Sequence, residues 1–265
     1  MLSVIVITRN EAANIRDCLA SVAFADEWIV VDSGSTDGTV EIARAAGARV
    51  VESHDWPGFG PQKNRALAHA QGEWVLAIDA DERVTPELAA EIQAVLRDPQ
   101  HDAYAIPRLS SFCGRFIRHS GWWPDHVVRL FRRDRGRFTD VAVHEKVLVE
   151  GSVGTLNAHF LHYTYPDLDS ALAKMNRYST DAARMMHVRG KRAGLASALG
   201  HATWTFIRIY ILRRGFLDGK HGFVLAMVAM MGSFARYAKL MFLNENEGTA
   251  GAPPEPAFRQ GDENP

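Results

Sequence analysis

Apolar residues come in short unbroken runs along the first hundred positions, each followed by a polar turn and then by apolar residues at helical spacing. Leu2–Thr8 (LSVIVIT) carries no alternation, which is the pattern of a strand buried on both faces. Ile15, Leu19 and Val22 then fall on one helical face, with Asn10 as the expected cap. Glu27–Asp32 (EWIVVD) reads as the second strand. Asp37 or Thr36 is expected to cap a helix running through Ala46, which Gly47 ends. Arg49–Glu52 predicts a short strand, Gln62–Ala70 a helix and Trp74–Asp79 a further strand. Thr85-Pro86 opens a helix through Leu96, with proline in its favoured first-turn place.

Repeated strand–helix units predict a parallel, doubly wound α/β sheet, whose ligands bind beyond the C-terminal ends of its strands. Thr8, Asp32 and Asp79 sit at those ends. From Asp102 to Tyr165 the pattern changes to short β-like runs (Tyr104–Pro107, Val127–Phe131, Val147–Val149, His159–Tyr165) broken by Gly, Trp and Pro. This stretch is expected to complete the sheet and wall one side of a cleft. Leu168 to Leu243 reads as helical, in three segments. The domain reading is 1–166 for the sheet (1–100 and 101–166 as its halves), 167–243 for a helical extension, and 244–265 for a disordered acidic tail.

Composition narrows the picture in three places. Lys plus Arg total 30 and Asp plus Glu total 31 in 265 residues, so the net charge of -1 predicts no nucleic-acid partner. From His187 to Leu243, however, nine Lys or Arg stand against one acidic residue, which marks a basic surface. Cys18 and Cys113 are the only cysteines, too few for a disulfide framework or a cysteine zinc site, and they suit a reducing compartment. Met1 leads into a strand without a signal-peptide pattern, and the apolar run Gly222–Ala235 is short for a span. The expectation is a cytoplasmic protein that touches a membrane at its periphery.

The chemistry starts at WVLAIDADERV. Two carboxylates, Asp79 and Asp81, end a buried strand, where they repel each other unless a positive group stands between them. A hard divalent cation, Mg²⁺ or Mn²⁺, would take both and bridge them to a substrate diphosphate; the competing reading is a pair with Lys or Arg. In VVDSGSTDGT, Asp32 is placed to accept hydrogen bonds from a nucleobase or ribose, or else to shape a helix-capping turn. Lys63, in QKNR, is placed to meet a phosphate or else is solvated. No GxGxxG follows the first strand, which counts against a dinucleotide cofactor.

Taken together, VIVITRNEAANI, VVDSGSTDGT, QKNRAL and WVLAIDADE resemble the inverting glycosyltransferases of family 2, which have the GT-A fold. WWPDHVVRLFRR, VHEKV, LHYTY and GFLDGKHGF further resemble the bacterial lipopolysaccharide-core glucosyltransferase subfamily. The resemblance implies a GT-A Rossmann-like, mostly parallel sheet with a C-terminal helical extension. It also implies donor-nucleotide contacts at Thr8, Arg9, Glu11, Asp32, Lys63 and Asp79. The metal-binding pattern is matched by Asp79 and Asp81, with Asp81 the direct ligand. Lys63 stands where the family usually has Arg, keeping the charge without the bidentate geometry.

Inversion needs a base on the face opposite the leaving diphosphate. By position beyond Phe131-Arg132-Arg133 this is Glu145, with Asp125 as the alternative and His144 as an orienting partner. The family's usual Glu-Asp is His-Glu here. Trp122 and Trp123 read evenly as a sugar-stacking platform or as core. Arg129, Arg132 and Arg133 read as diphosphate or acceptor contacts or as a solvated strand face. His159, His162 and Tyr163, whose spacing loosely resembles a metal site, read in preference as packing residues. The implied reaction moves a hexose from a UDP-sugar, UDP-glucose by subfamily, to a lipid-linked saccharide of the lipopolysaccharide inner core. A polyprenyl-phosphate acceptor and a non-catalytic nucleotide-sugar-binding scaffold are the alternatives.

Overall fold

The computed structural model describes residues 1–140 and 146–246. His144, Glu145 and residues 247–265 of the expected acidic tail lie outside the described residues.

The first four strands are β1 (Leu2–Thr8), β2 (Glu27–Asp32), β3 (Arg49–Glu52) and β4 (Trp74–Asp79), with bounds that match the apolar runs. They alternate with α1 (Ile15–Ser21), α2 (Thr39–Ala45) and α3 (Phe59–His69), and α4 (Pro86–Arg97) follows. A three-residue strand, β5 (Glu82–Val84), comes directly after the two aspartates. The chain continues through β6 (Ala103–Phe112), β7 (Arg115–Phe116), β8 (Asp125–Arg132), β9 (Gly136–Phe138), β10 (Val147–Val149), β11 (Val153–Thr155) and β12 (Phe160–Tyr165). Three long helices close it: α5 (Leu168–Val188), α6 (Leu195–Phe206) and α7 (Gly219–Asn246). A π-helical turn (Ile207–Leu212) extends α6, and a 3-10 turn (Gly215–Asp218) leads into α7.

One sheet runs β3-β2-β1-β4-β8-β6-β12-β5, with β7 and β11 beside β6; β9 and β10 form a separate antiparallel pair. β1 pairs in parallel with both β2 and β4, whereas β8 runs antiparallel to β4 and β6. The unbroken apolar run of β1 has its reason here. Val4 and Val6 pack with Ile15, Leu19 and Leu88 on one face, and Ile5 and Ile7 pack with Ala66 and Phe131 on the other. Each such side chain contributes roughly 1.5–3 kcal/mol on burial, so a polar residue has no place before the strand ends.

Two predicted caps differ from the structure. Asn10 does not cap α1: it is in the left-handed region (φ 58), and its Oδ1 accepts from the Thr36 N–H at 2.9 Å. α2 opens on Gly38 rather than on Asp37 or Thr36, although Asp37 Oδ1 still accepts from the Thr39 N–H at 3.1 Å. The Thr85 cap is as expected, with Oγ1 accepting from the Leu88 N–H at 3.2 Å.

Candidate active site

The strand order reverses at β1, which has β2 on one side and β4 on the other, so the crevice beyond their C-terminal ends is the natural ligand site of such a sheet. Thr8 lies opposite Asp32 and Ile7 opposite Asp79 in the register. The predicted residues of β1, β2 and β4 therefore meet at one place.

Of the two readings of Asp32, its hydrogen bonds match the one in which it shapes the turn after β2. It is buried, and its Oδ1 accepts from the backbone N–H groups of Gly34 (3.0 Å) and Ser35 (2.8 Å). Its Oδ2 accepts from Thr8 Oγ1 (2.8 Å) and Ser35 Oγ (2.5 Å). A carboxylate offers about four lone-pair sites, and all are taken by the turn. Asp32 and Thr8 thus build the floor of the crevice, and Asp32 holds no free acceptor for a base or ribose. The Asn10 N–H donates to Ser35 Oγ, and the Ala12 N–H to Asp37 Oδ2, so the loop after β1 is stitched to the loop after β2. Arg9 is exposed at this rim, and Glu11 is half-buried. Burial pushes the Glu11 carboxyl above its ordinary value despite a hydrogen bond from Asn14, and the charges of Asp81, Asp37 and Asp79 push it further. The crevice mouth is therefore crowded with negative charge.

Asp79 has already met its cations. Lys63 Nζ lies 2.8 Å from Oδ1, and Arg129 Nη2 lies 2.5 Å from Oδ2. Arg129 also reaches Glu82 Oε1 at 3.0 Å, Glu82 Oε2 accepts from the Asp79 N–H at 2.9 Å, and Arg108 approaches Glu82 Oε1 at 3.5 Å. Arg108 continues to Asp125 Oδ2 through Nη2 at 2.7 Å and Nε at 3.1 Å. Alternating charges run from Lys63 to Asp125 across β4, β5, β6 and β8. Burial alone would raise the Asp79 carboxyl, but Arg129 and then Lys63 hold it far below the usual carboxylate range.

Three expectations change as a result. Asp79 is a salt-bridge partner rather than an open metal ligand. Lys63, buried over the Phe138 ring, acts through Asp79 and not as a solvent-side phosphate contact. Arg129 is a buried partner of Asp79 and Glu82 instead of an acceptor contact. Arg132 is further away still: it pairs in register with Trp74 at the opposite end of β4, bonds Glu73 and lies over the Trp74 ring. Arg133 donates to the Gly72 carbonyl at the same end.

Asp81 faces a residue that spacing did not assign to the site. His162, on β12, brings Nε2 to 3.3 Å from Asp81 Oδ2, and the Tyr163 N–H donates to the Asp81 carbonyl at 2.9 Å. Nδ1 meets Ser110 Oγ at 2.9 Å and Thr164 Oγ1 at 2.6 Å, and Thr164 Oγ1 also lies 2.8 Å from Nε2. With the proton on Nδ1 and directed to Ser110 Oγ, Nε2 presents a lone pair that the Thr164 hydroxyl, or a cation shared with Asp81, can take. Two neighbouring ligand atoms of an octahedral ion at about 2.0–2.1 Å stand about 3 Å apart, so the pair fits a divalent cation with little movement. Among the described residues no group of three His, Cys, Asp or Glu converges on a metal position. A carboxylate and an imidazole suit an ion that draws its remaining ligands from water and a substrate diphosphate. In sequence His162 stands in LHYTY, within the strand β12.

Asp125 is held by Arg108 as described. Trp122 is half-buried and packs edge-on to Phe112, with ring centroids 6.2 Å apart, and against Tyr165 beside a small apolar cluster, as in its packing reading. Trp123 is half-buried, edge-on to His159 at 5.3 Å, with the Arg118 guanidinium 5.8 Å from its ring.

The model of the family described as Glycosyl transferase family 2 matches residues 3–149. An uncharacterized glycosyltransferase of Rickettsia bellii is 32% identical over 260 residues, covering 92% of this chain and 87% of that one. The lipopolysaccharide core biosynthesis glycosyltransferase LpsC of Rhizobium meliloti is 30% identical over 257 residues, covering 90% and 91%. Among solved structures, S. aureus TarS 1-349 in complex with UDP-GlcNAc superposes with a TM-score of 0.48 at 16% identity, covering 94% of this chain and 91% of that one.

Proposed function

We infer that this chain, which belongs to glycosyl transferase family 2, moves a hexose from UDP-glucose to a lipopolysaccharide inner-core saccharide with inversion at the anomeric carbon. The observation that carries the reading is the Asp81–His162 pair beside the locked Asp79, at the crevice where the sheet order reverses. The lipopolysaccharide acceptor is supported by the near full-length likeness to LpsC. UDP-glucose rests on the subfamily resemblance of the motifs.

Asp81 and His162 would hold Mg²⁺ or Mn²⁺, and a bound ion offsets the charge that grows on a departing diphosphate. The remaining work falls to the chain itself. Lys63 and Arg129 fix Asp79 and so set the direction of the turn that carries Asp81. Thr8, Asp32 and the stitched loops keep a rigid floor under the nucleotide. Arg9 at the rim offers a cation to a phosphate, and Glu11 raises the negative field that draws a divalent ion in. Glu145 is the base that takes the proton of the acceptor hydroxyl as the new bond forms, a role it receives from the family pattern. The other candidate, Asp125, has one oxygen bound twice by Arg108, which suits a structural link better than a base. The enzyme works at the cytoplasmic face of the inner membrane, where such an acceptor is assembled.

The test is calorimetry of UDP, UDP-glucose, UDP-galactose and GDP-mannose with Mn²⁺ present and then chelated. Metal-dependent UDP binding that is lost in both Asp81→Ala and His162→Ala is expected. Glu145→Gln should keep that binding and lose turnover. Nucleotide binding indifferent to the metal and to both substitutions overturns the site assignment. Lost turnover in Asp125→Asn with an active Glu145→Gln reverses the choice of base.

A further inference from the structure

A groove of about 290 Å³ runs between α5, α6 with its π-helical extension, and α7, well away from the strand ends. Its lining combines an apolar wall, including Met175, Ile209 and Gly232, with two arginines, Arg208 and Arg236. Neither guanidinium has a hydrogen bond or an ion pair among the described residues; Arg236 only lies over the Tyr237 ring, 5.0 Å from its centroid. Arg236 Nε is buried with no acceptor, and so is Ser233 Oγ one helical turn earlier, on a side chain 6% exposed. A buried donor left unpaired costs about 1–3 kcal/mol, and two such donors, Arg236 Nε and Ser233 Oγ, face this groove beside the exposed guanidinium of Arg208. By contrast, Lys239, further along α7, is spent on Asn176, Ser179 and Thr180 of α5, which fixes the groove wall.

The surroundings favour one kind of anion. The only acidic residue between His187 and Leu243 is Asp218, 3% exposed and occupied by donors from the Arg118–Ser120 segment. The α6 wall and the α7 wall up to Leu243 therefore offer no open carboxylate, and the nearest exposed acid in sequence to the lining residues is Asp181 on α5. The outward face of α6 and its extension carries Leu199, Trp204, Ile207 and Ile211, and the α7 side of the rim carries Met231 and Phe234, all exposed. Cationic groups in the groove and aromatic and aliphatic groups on the rim match a phosphate headgroup with hydrocarbon beside it.

We propose that this groove seats the phosphate of an anionic phospholipid, with the outer face of α6 lying in the headgroup layer. Arg208 and Arg236 take the phosphate oxygens, Ser233 donates a third hydrogen bond, and Trp204, Ile207 and Ile211 enter the apolar boundary. The proposal deepens the membrane placement given above, and its readout does not depend on donor binding or turnover.

Flotation of the full chain is compared on vesicles of phosphatidylcholine alone and of phosphatidylcholine mixed with phosphatidylglycerol. Wild-type protein should float with the mixed vesicles and far less with the neutral ones. Arg208→Gln combined with Arg236→Gln should lower the partition coefficient on the order of 30-fold, from about 1 kcal/mol per basic residue at the surface. Trp204→Ser with Ile207→Ser, both at exposed positions, should lower it on neutral and mixed vesicles alike. UDP binding with Mn²⁺, measured on each variant, should stay at the wild-type value and certifies the fold. Equal flotation on both vesicle types, or an arginine variant that floats like wild type, overturns the proposal. So does tight binding of inorganic phosphate at the groove without flotation, which would name a soluble phosphate. Concentration-dependent dimers abolished by Trp204→Ser with Ile207→Ser, again without flotation, would name a second copy as the occupant of this face. Failed UDP binding with intact flotation would sink the transferase site and leave this inference standing.

Discussion

Asp79 shares its carboxylate with Lys63 and Arg129, whereas Asp81, two positions on, faces the imidazole of His162. The two substitutions should therefore fail differently. Asp79→Ala leaves the buried Lys63 and Arg129 without a main counter-charge, and breaking a buried pair in this way costs about 3–5 kcal/mol. Asp81→Ala removes a partly exposed acid and should cost under about 1 kcal/mol, while UDP affinity in Mn²⁺ collapses. Urea unfolding and calorimetry on the same two proteins separate these outcomes; an Asp79→Ala protein of wild-type stability would remove the charge network from the account. Glu11 gives the pH dependence. Its folded carboxyl is raised, so the folded state holds the proton more tightly than the unfolded chain does. That contribution is fully present below the unfolded value of 4.5 and is lost as pH rises through the folded value. The Glu11 contribution to the stability of the metal-free protein should thus grow as pH falls into that window, against the opposite trend of His159, whose burial lowers its folded value. The difference between wild type and Glu11→Gln in thermal melts taken across pH isolates it. From sequence, the carboxylate pair at a strand end was plain because a buried strand tolerates no such residues inside it. Its partners were hidden, since Arg129 and His162 arrive from strands 50 and 81 residues away from the acids they meet.

At the scale of elements, burial on two faces made β1, β2 and β4 legible from their apolar runs, whereas β3, with exposed Arg49 and Glu52 around two half-buried valines, is a short edge strand. The strands that sequence did not show are short. β5, β7, β9 and β11 have two or three residues each; β5 pairs with the longer β12, and β7 and β11 with the longer β6, while β9 pairs with the equally short β10. β5 matters most, since it turns the chain just after Asp81 and places Glu82 under Arg129. The start of α3 was read three residues late because Phe59, Gly60 and Pro61 look like loop. Local chemistry was a good guide where one side chain decides the geometry. Thr85→Ala should destabilise the protein by about 1 kcal/mol, the usual cost of losing an N-cap. Chemical denaturation measures this directly, and Thr85→Ser should restore most of the loss. Gly222 tests the helical extension: a Cβ there would lie 1.9 Å from the Gly215 carbonyl oxygen. Gly222→Ala should push α7 off the 3-10 turn, lowering the melting temperature by several degrees, at 2–4 °C per kcal/mol for a chain of about this size.

In the whole molecule, one buried acid ties the helical extension to the sheet. Asp218, in the turn before α7, accepts from the backbone N–H groups of Arg118 and His119 at 3.2 and 3.1 Å, and from Ser120 Oγ at 3.1 Å. The Ser120 N–H in turn donates to the Arg213 carbonyl at 2.9 Å. The segment so held leads directly into Trp122, Trp123 and β8, which carries Asp125 and Arg129. In the sequence Asp218 is the single acid of a basic stretch, and the segment that receives it lies about a hundred residues earlier, beyond any local pattern. Asp218→Ala leaves two backbone donors and a hydroxyl buried without an acceptor. At about 1–3 kcal/mol for each unsatisfied group, partly relieved by water, the junction should loosen by roughly 3 kcal/mol. The Asp79 and Asp81 clusters do not touch Asp218, so metal-dependent UDP binding should persist. Limited proteolysis should cut near the α6–α7 junction in the variant and not in the wild type. Transfer to a membrane-borne acceptor should fall further than hydrolysis of the donor by water, because only the former needs the helices and the acceptor wall in register. Equal loss of both activities would mean that Asp218 serves the fold alone; equal retention would mean that the helices and the sheet work independently.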